Sequence, residues 1–412
     1  MALNSTVKAL LHQSRKALQY GRKNGISQLV ALARTKLRGN LFGKNHLIDY
    51  YDFLGNRLFG PPIASGSIPV NTINWVVPPF GYGSGGHLNI FRFVQFLEED
   101  GFDCRIVVVG EPQPLSASQA SKQINEWFFQ LNAEVYLGIE SAPPAQITIA
   151  TSWTTAYYVK AFQSTVHRCY FIQDFEPYFY PLGAEYAWAE ATYTFGFFGI
   201  TAGTWLKDKL AKEFGMRTEA FGFSFDQHIY APRECTAPTA RSVFFYARPP
   251  TPRRGFEMGL LVLNEVVRRL PDVQVIFAGW DISNYHIPFA HQNCGSLSLN
   301  ELPDIYSQCK AALVLSFTNL SLLPLELMAC GTPVVSNRAP CTEWLLNDRN
   351  SRLAPPTVDA LADALCTVLE DPNEAARLRQ GGFATAAATD WRMEARKVGD
   401  VLRSLDALGG AM

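Results

Sequence analysis

SFTNLSLLPLELMACGTPVVSN, residues 316–337, reads as a strand end, a loop, a helix, a glycine stop and a new buried strand. Ala312–Ser316 is a short apolar run. Pro324 suits a first helical turn, where its missing N–H would have no intrahelical partner. Leu325, Leu327, Met328 and Ala329 supply an apolar helix body, and Gly331 is the expected stop. Pro333-Val334-Val335 then opens the next strand. A loop of this kind points the N–H groups around Ser321, Leu322 and Leu323, and the positive end of a helix, at one spot, which suits an anion. Glu326, about one turn inside, offers a carboxylate to sugar or ribose hydroxyls.

The same alternation runs outward in both directions. Apolar runs at Asn74–Val77, Ile106–Val109, Ile147–Ala150, Cys169–Ile172 and Phe197–Thr201 read as buried strands, with helices such as Ser118–Leu131 between them. Ser242–Tyr246 and Val273–Ala278 repeat the pattern further on, with helices over Phe256–Leu270, Leu302–Cys309, Val358–Leu369 and Pro372–Gly381. Continuous apolar strands separated by helices imply parallel sheets covered on both faces. The expected organisation is a basic helical extension and linker over 1–70, an α/β domain over 71–235, a second over 236–390, and a terminal helix over 391–412 that crosses back to the first domain.

Ligands of such sheets sit beyond the carboxyl ends of the strands, so the segments following each strand carry the chemistry. After Asn74–Val77 comes PPFGYGSGGHLNIF, where Gly85 and Gly86 precede a helix and let a backbone approach a ligand closely. After Cys169–Ile172 comes QDFEPYFYP, which starts with Gln173. From Tyr170 to Phe198 there are 12 Phe, Tyr or Trp residues in 29 positions. Aromatic faces stack on sugar C–H faces and carboxylates grip hydroxyls, so Asp174 and Glu176 are candidates for a carbohydrate-facing surface. Most of those aromatics suit a core. After Ser242–Tyr246 comes ARPPTPRRG, in which prolines stiffen a loop carrying Arg248 and Arg254. Two planar guanidinium forks across a stiff loop can clamp a diphosphate.

The 412 residues are 48% hydrophobic and 18% charged, which excludes a disordered chain. No apolar run approaches the ~20 residues of a membrane span. The eight cysteines form no C-x-x-C pair, so a zinc knuckle or redox motif is not expected, and a reducing cytoplasm fits. No Asp-x-Asp or His cluster suggests a metal. Net charge is −1 but unevenly placed: residues 1–44 hold nine Lys or Arg and no acid, leaving 27 bases against 37 acids beyond them. Apolar residues share rough faces along 3–38 with bases between them. That pattern suits an anionic membrane surface, or an extension packed on the body with its charges solvated. No nucleic-acid motif accompanies it.

LPLELMACGTPVVSN resembles the donor-binding segment of the retaining GT-B glycosyltransferases of family four. That segment usually carries a spaced pair of glutamates; Glu326 matches the second, and Thr318 stands at the first. Arg248 matches the family's arginine, and Arg254 replaces its lysine with the charge kept. Asp226 in FGFSFDQHIYAP matches the aspartate of a hinge turn. Gln173 stands where many relatives have histidine, and QDFEPYFYP is similar to a branch of rhamnosyltransferases that build rhamnan chains on bacterial surfaces.

The resemblance spans about residues 72–405. It implies an α/β GT-B fold of two Rossmann-like parallel-sheet domains facing across a cleft, with the helical N-terminal extension outside it. It implies retention of configuration without a metal or cofactor, a dTDP-β-L-rhamnose donor held by the second domain, and an oligosaccharide or lipid-linked glycan acceptor at the first. Arg248 and Arg254 would bear the leaving charge, with Asp174 or Glu176 orienting the acceptor or stabilising the oxocarbenium ion. Gly85, Gly86, Gln173, Thr318, Ser321, Leu322, Leu323 and Glu326 would line the substrates. A cytoplasmic protein, peripheral at the inner face of the membrane, fits. Mannosyl or glucosyl transfer from GDP- or UDP-sugars, and a catalytically silent sugar-nucleotide-binding subunit, are the alternatives.

Overall fold

The computed structural model describes residues 47–409 apart from 56, 64–67, 112, 113, 115 and 235–240, so the basic segment 3–38 lies outside the described residues. Seven strands form the first sheet: β1 (Thr72–Val77), β2 (Asp103–Val108), β3 (Glu134–Leu137), β4 (Ala145–Ala150), β5 (Thr165–Ile172), β6 (Phe198–Ala202) and β7 (Thr218–Phe221). All pairings are parallel, in the order β3-β2-β1-β4-β5-β6-β7. Six form the second: β8 (Ser242–Tyr246), β9 (Gln274–Ala278), β10 (His291–Asn293), β11 (Ala311–Val314), β12 (Val334–Asn337) and β13 (Ser351–Ala354). These too are parallel, in the order β10-β9-β8-β11-β12-β13. These are two Rossmann-like lobes.

Central strands are the apolar ones. Every residue of β1, TINWVV, is buried, as expected of a strand covered on both faces. The edge strands β3 (EVYL) and β7 (TEAF) are short and partly exposed, and the sequence reading passes over both because they lack a continuous apolar run. Below the first sheet, Phe171 stacks on Phe221 at 4.8 Å, and Phe93 and Trp75 close on the same ring.

The helices used below are α1 (Gly85–Glu99), α2 (Ala117–Trp127), α3 (Trp153–Ala161), α4 (Ala184–Ala191), α5 (Thr204–Phe214), α6 (Phe256–Arg269), α7 (Leu302–Gln308), α8 (Leu323–Ala329), α9 (Val358–Glu370), α10 (Pro372–Ala387) and α11 (Trp391–Gly409). Two differ from the sequence reading for local reasons. α2 stops at Trp127 because the Asn125 side chain accepts the Leu131 N–H at 2.9 Å, a bond that competes with the helix. α10 runs past Gly381, which is no stop. A Cβ there would run into the Arg349 carbonyl, so the glycine serves close packing.

Long-range bonds tie the lobes together. On α11, the Trp391 ring meets Phe93 of α1, the Glu394 carboxylate accepts the Gly222 N–H at 2.7 Å, and Arg403 pairs with Asp100 at 2.7 Å. Gly203, after β6, has φ +84°, and a Cβ on it would come within 2.7 Å of the Trp344 indole of the second lobe.

Candidate functional site

In each sheet the strand order reverses at one point, between β1 and β4 and between β8 and β11. Crevices outside the carboxyl ends of strands at such points are where open α/β sheets take ligands. At the second one lies a cavity of about 220 Å³. Phe245 and Tyr246 of β8, Leu313 and Val314 of β11, then Thr251, Ser321 and Leu323 line it, together with three arginines: Arg248, Arg253 and Arg254.

The loop after β8 explains why three guanidiniums converge. Ala247 N–H bonds to the Ala278 carbonyl at 2.8 Å and aligns the strand end. A turn over 248–251 and a tight turn at Pro252–Arg254 then bring the chain to Gly255, whose φ of +61° starts α6. Arg254 Nη1 donates to Ser316 Oγ at 2.6 Å and to the Asn319 carbonyl at 2.9 Å, which locks this loop to the one after β11. The Asn337 side chain completes that lock: Oδ1 accepts from Ser316 N at 2.9 Å and Nδ2 donates to the Ser316 carbonyl at 2.8 Å. Arg248 is exposed at the mouth, its guanidinium 5.8 Å from the Trp280 ring. Burial pulls the guanidiniums of Arg253 and Arg254 below their ordinary range, with Asp174 opposing it. The cavity is thus a cationic pocket with hydroxyls from Thr251 and Ser321 beside it.

The first lobe meets Arg253 of this pocket through Asp174, just past β5. Its Oδ2 accepts from Thr318 Oγ1 at 3.0 Å, and Oδ1 accepts the N–H groups of Asn319 and Phe175 at 2.9 Å each. Asn319 clasps back across the junction, donating from Nδ2 to the carbonyls of Gln173 at 2.9 Å and Ala202 at 2.7 Å. Burial pushes the Asp174 carboxyl up, while Arg254, Arg253 and the bonds from Asn319 and Thr318 pull it back. Thr318 and Asp174 are therefore brought together, and Asp174 is the carboxylate set against the loop after β11.

Glu176 is placed differently. Its Oε2 accepts the Trp153 N–H at the start of α3 at 2.8 Å, and Oε1 accepts from Tyr170 Oη at 3.1 Å. Its own N–H donates to Tyr193 Oη at 3.2 Å. Burial pushes its carboxyl up to about 7. It sits in an aromatic cage inside the first lobe and does not line the cavity. Glu326 does not line it either. It faces Asp226, Tyr230 and Arg92 at the junction, and burial with the Asp226 charge pushes it up to about 7. Asp226 in turn takes a two-pronged ion pair from Arg92 of α1, the second contact at 3.0 Å. The Tyr230 hydroxyl is buried beside Glu326.

Gly85 and Gly86 start α1 on the open side, and Gln173 Nε2 donates to the Gly86 carbonyl at 3.0 Å. Asn89 Nδ2 donates to Gln173 Oε1 at 3.2 Å, so Gln173 is held by α1. Leu322 precedes α8 half-buried. Of the expected residues, Arg248, Arg254, Ser321 and Leu323 meet at the cavity. Asp174 and Thr318 meet each other at the lobe junction, behind Arg253, and do not line the cavity. The sequence reading missed Arg253, Ser316, Asn319, Asn337 and Arg92. Arg253 carried a signal, being next to Arg254 in the same basic loop; an asparagine that bridges lobes carries none.

Two facing parallel-sheet lobes, with a cationic pocket at the switch point of the second and a helix crossing back from it, define the GT-B fold. Comparison with known proteins bears this out. Residues 241–366 match the family model described as WsaF, C-terminal domain. The O-antigen biosynthesis protein RfbC of Myxococcus xanthus is 32% identical over 339 residues, 80% of this chain and 27% of that protein. A phosphatidyl-myo-inositol mannosyltransferase of Mycobacterium tuberculosis is 27% identical over 187 residues, 41% of this chain and 48% of its own length. The chain thus spans about a quarter of the first relative and half of the second. Among solved structures, Anabaena HepE in complex with UDP-glucose superposes with a TM-score of 0.63 at 14% identity, over 81% of this chain and 99% of that one.

Proposed function

We propose that the protein is a retaining glycosyltransferase that moves L-rhamnose from dTDP-β-L-rhamnose to a hydroxyl of an oligosaccharide or lipid-linked glycan in bacterial surface-polysaccharide synthesis. The observation that carries it is the cavity at the β8/β11 switch point, faced by Arg248, Arg253 and Arg254. A diphosphate leaving group accumulates negative charge as its bond to the anomeric carbon breaks, and preorganised guanidiniums stabilise that charge. The acceptor oxygen bonds to the same face of the carbon as the diphosphate departs, and its proton passes to the leaving phosphate oxygen. Asp174, held at the lobe junction, orients the acceptor or faces the positive charge that develops on the sugar.

Similarity to an O-antigen biosynthesis protein supports the surface-glycan setting. Thr318 in place of a glutamate fits a 6-deoxy sugar, which offers one hydroxyl fewer. A mannosyl or glucosyl donor is the second reading, favoured by the mannosyltransferase match and by the UDP-glucose complex of the structural neighbour. The nucleotide sugar is a substrate and no cofactor enters; metal independence predicts unchanged transfer in EDTA. The basic segment over 3–38 would hold the protein peripherally at the cytoplasmic face of the membrane.

Calorimetric titration with dTDP, UDP and GDP, followed by mass spectrometry of products from synthetic rhamnosides, separates these readings. dTDP is expected to bind tightest, and Arg248→Ala to slow turnover by roughly 10–100-fold, the loss of one charge-assisted hydrogen bond. Tightest binding of GDP or UDP would turn the assignment to the second reading. Binding without transfer or donor hydrolysis would leave only the silent subunit.

A further inference from the structure

Arg253 lines the same cavity as Arg248 and Arg254, yet its supports come from the opposite lobe. Its guanidinium lies over the Phe179 ring, 3.9 Å from the centroid. Its Nε stands 3.4 Å from Asp174 Oδ2, and that Nε is buried and forms no proper hydrogen bond among the described residues. The loop beneath it is fixed, since Phe317 N–H donates to the Arg253 carbonyl at 2.9 Å. Asp174 is in the reverse position. Its two oxygens already accept three well-formed hydrogen bonds, from Thr318, Asn319 and Phe175. Asp174 therefore keeps its place without Arg253, while Arg253 holds unmet donor capacity at the edge of a cationic pocket. A half-buried guanidinium so placed gains most from oxygens that meet its planar fork directly, as phosphate does.

We propose that Arg253 is a third ligand for the donor's diphosphate, shared between the lobes: donor binding draws its guanidinium off Asp174, the carboxylate being the competitor that the diphosphate displaces, while Phe179 keeps the guanidinium plane at the cavity. This rests on reading the cavity as the donor site. Arg253 thereby couples donor occupancy to the lobe that receives the acceptor, a role the two other arginines, anchored within their own lobe or exposed, do not have.

The test is calorimetry on the full chain with dTDP, UDP and inorganic pyrophosphate. Arg253→Ala should weaken pyrophosphate and nucleoside diphosphate binding about 10-fold or more, and Arg253→Lys by less, the point charge being kept without the fork. Asp174→Asn keeps one oxygen to accept from Asn319 and Phe175, turns an amide N–H toward the Thr318 hydroxyl, which can accept it, and removes the competing charge, so it should tighten binding roughly 3- to 10-fold. In the Arg253→Ala background the same change should tighten binding clearly less, because only the pull between Asp174 and Arg254 is then left to relieve, a difference that a purely structural role for Asp174 would not produce. Should Asp174→Asn fail to fold, Phe179→Leu removes the ring and leaves every charge, and several-fold weaker pyrophosphate binding is expected. The proposal is overturned if Arg248→Ala weakens binding while the Arg253 and Phe179 variants do not, or if Asp174→Asn weakens it; the donor reading survives both. If wild-type protein binds none of the three ligands, or Arg248→Ala changes nothing, the donor reading itself falls.

Discussion

Glu176 shows how a buried carboxylate can be misjudged from its neighbours in sequence. QDFEPYFYP offers two acids in an aromatic run, and nothing local separates them. Three-dimensional context does: Asp174 turns to the second lobe and bonds Thr318 and Asn319, whereas Glu176 caps α3 under Tyr170 and Tyr193. The cavity's Arg248 and Arg254 were legible because a basic, proline-stiffened loop after a strand is a local pattern. The Asn319 clasp and the Arg92–Asp226 pair were not, since each depends on chain segments more than a hundred residues apart. Glu176 carries a testable consequence. Its carboxyl ordinarily titrates near 4.5 and is pushed to about 7 in the fold. Between those values the folded chain keeps a proton that the unfolded chain has released, so this group makes stability fall as pH rises from about 4.5 to 7 and level off beyond. The full effect is on the order of 3 kcal/mol. Urea unfolding of wild type and Glu176→Gln should show the variant gaining relative stability across that window. A difference that stays flat with pH would mean the carboxyl is ordinary.

At the scale of elements, the central strands were the easy part. β1 and β11 are apolar enough to be recognised as fully covered strands, and the stretch 312–337 places β11, α8 and β12 in order. What escaped were short edge strands and glycines whose role is packing. Gly381 reads as a helix stop, but it lies inside α10 against the Arg349 backbone. Two effects compete in Gly381→Ala. Helix propensity gains roughly 1 kcal/mol. Overpacking costs about 1–3 kcal/mol, toward the upper end here because the obstacle is a backbone carbonyl rather than a side-chain tip. Packing should win: the variant is expected to unfold at lower urea with an unchanged denaturant slope. A gain in stability would show that α10 can shift away from the 349–350 loop without loss.

The molecule as a whole is electrically lopsided, which bears on the proposed attachment of its basic segment to a membrane. No helix among the described residues is long and apolar enough to cross one. Beyond residue 44 the chain carries ten more acids than bases, so the body is repelled by an anionic surface, while residues 1–44 carry nine bases and no acid. Each base near such a surface contributes about 1 kcal/mol at most, and the attraction decays within a Debye length of ~8 Å at physiological salt. Several bases acting together would give reversible attachment that weakens as salt rises. Directly after the basic run, Leu47 is 54% exposed and Ile48 88% exposed on the short helix Leu47–Tyr50, apolar contacts that the same surface could take up. The full chain should float with phosphatidylglycerol-containing vesicles at 0.1 M salt (about a 10 Å screening length) and not with neutral phosphatidylcholine. Raising salt fivefold, or replacing the nine bases by glutamine, should release it, whereas Ile48→Ser should weaken binding without removing its salt dependence. Equal flotation with neutral vesicles would make the attachment apolar, and no flotation with either would leave the basic segment as a solvated extension of the body.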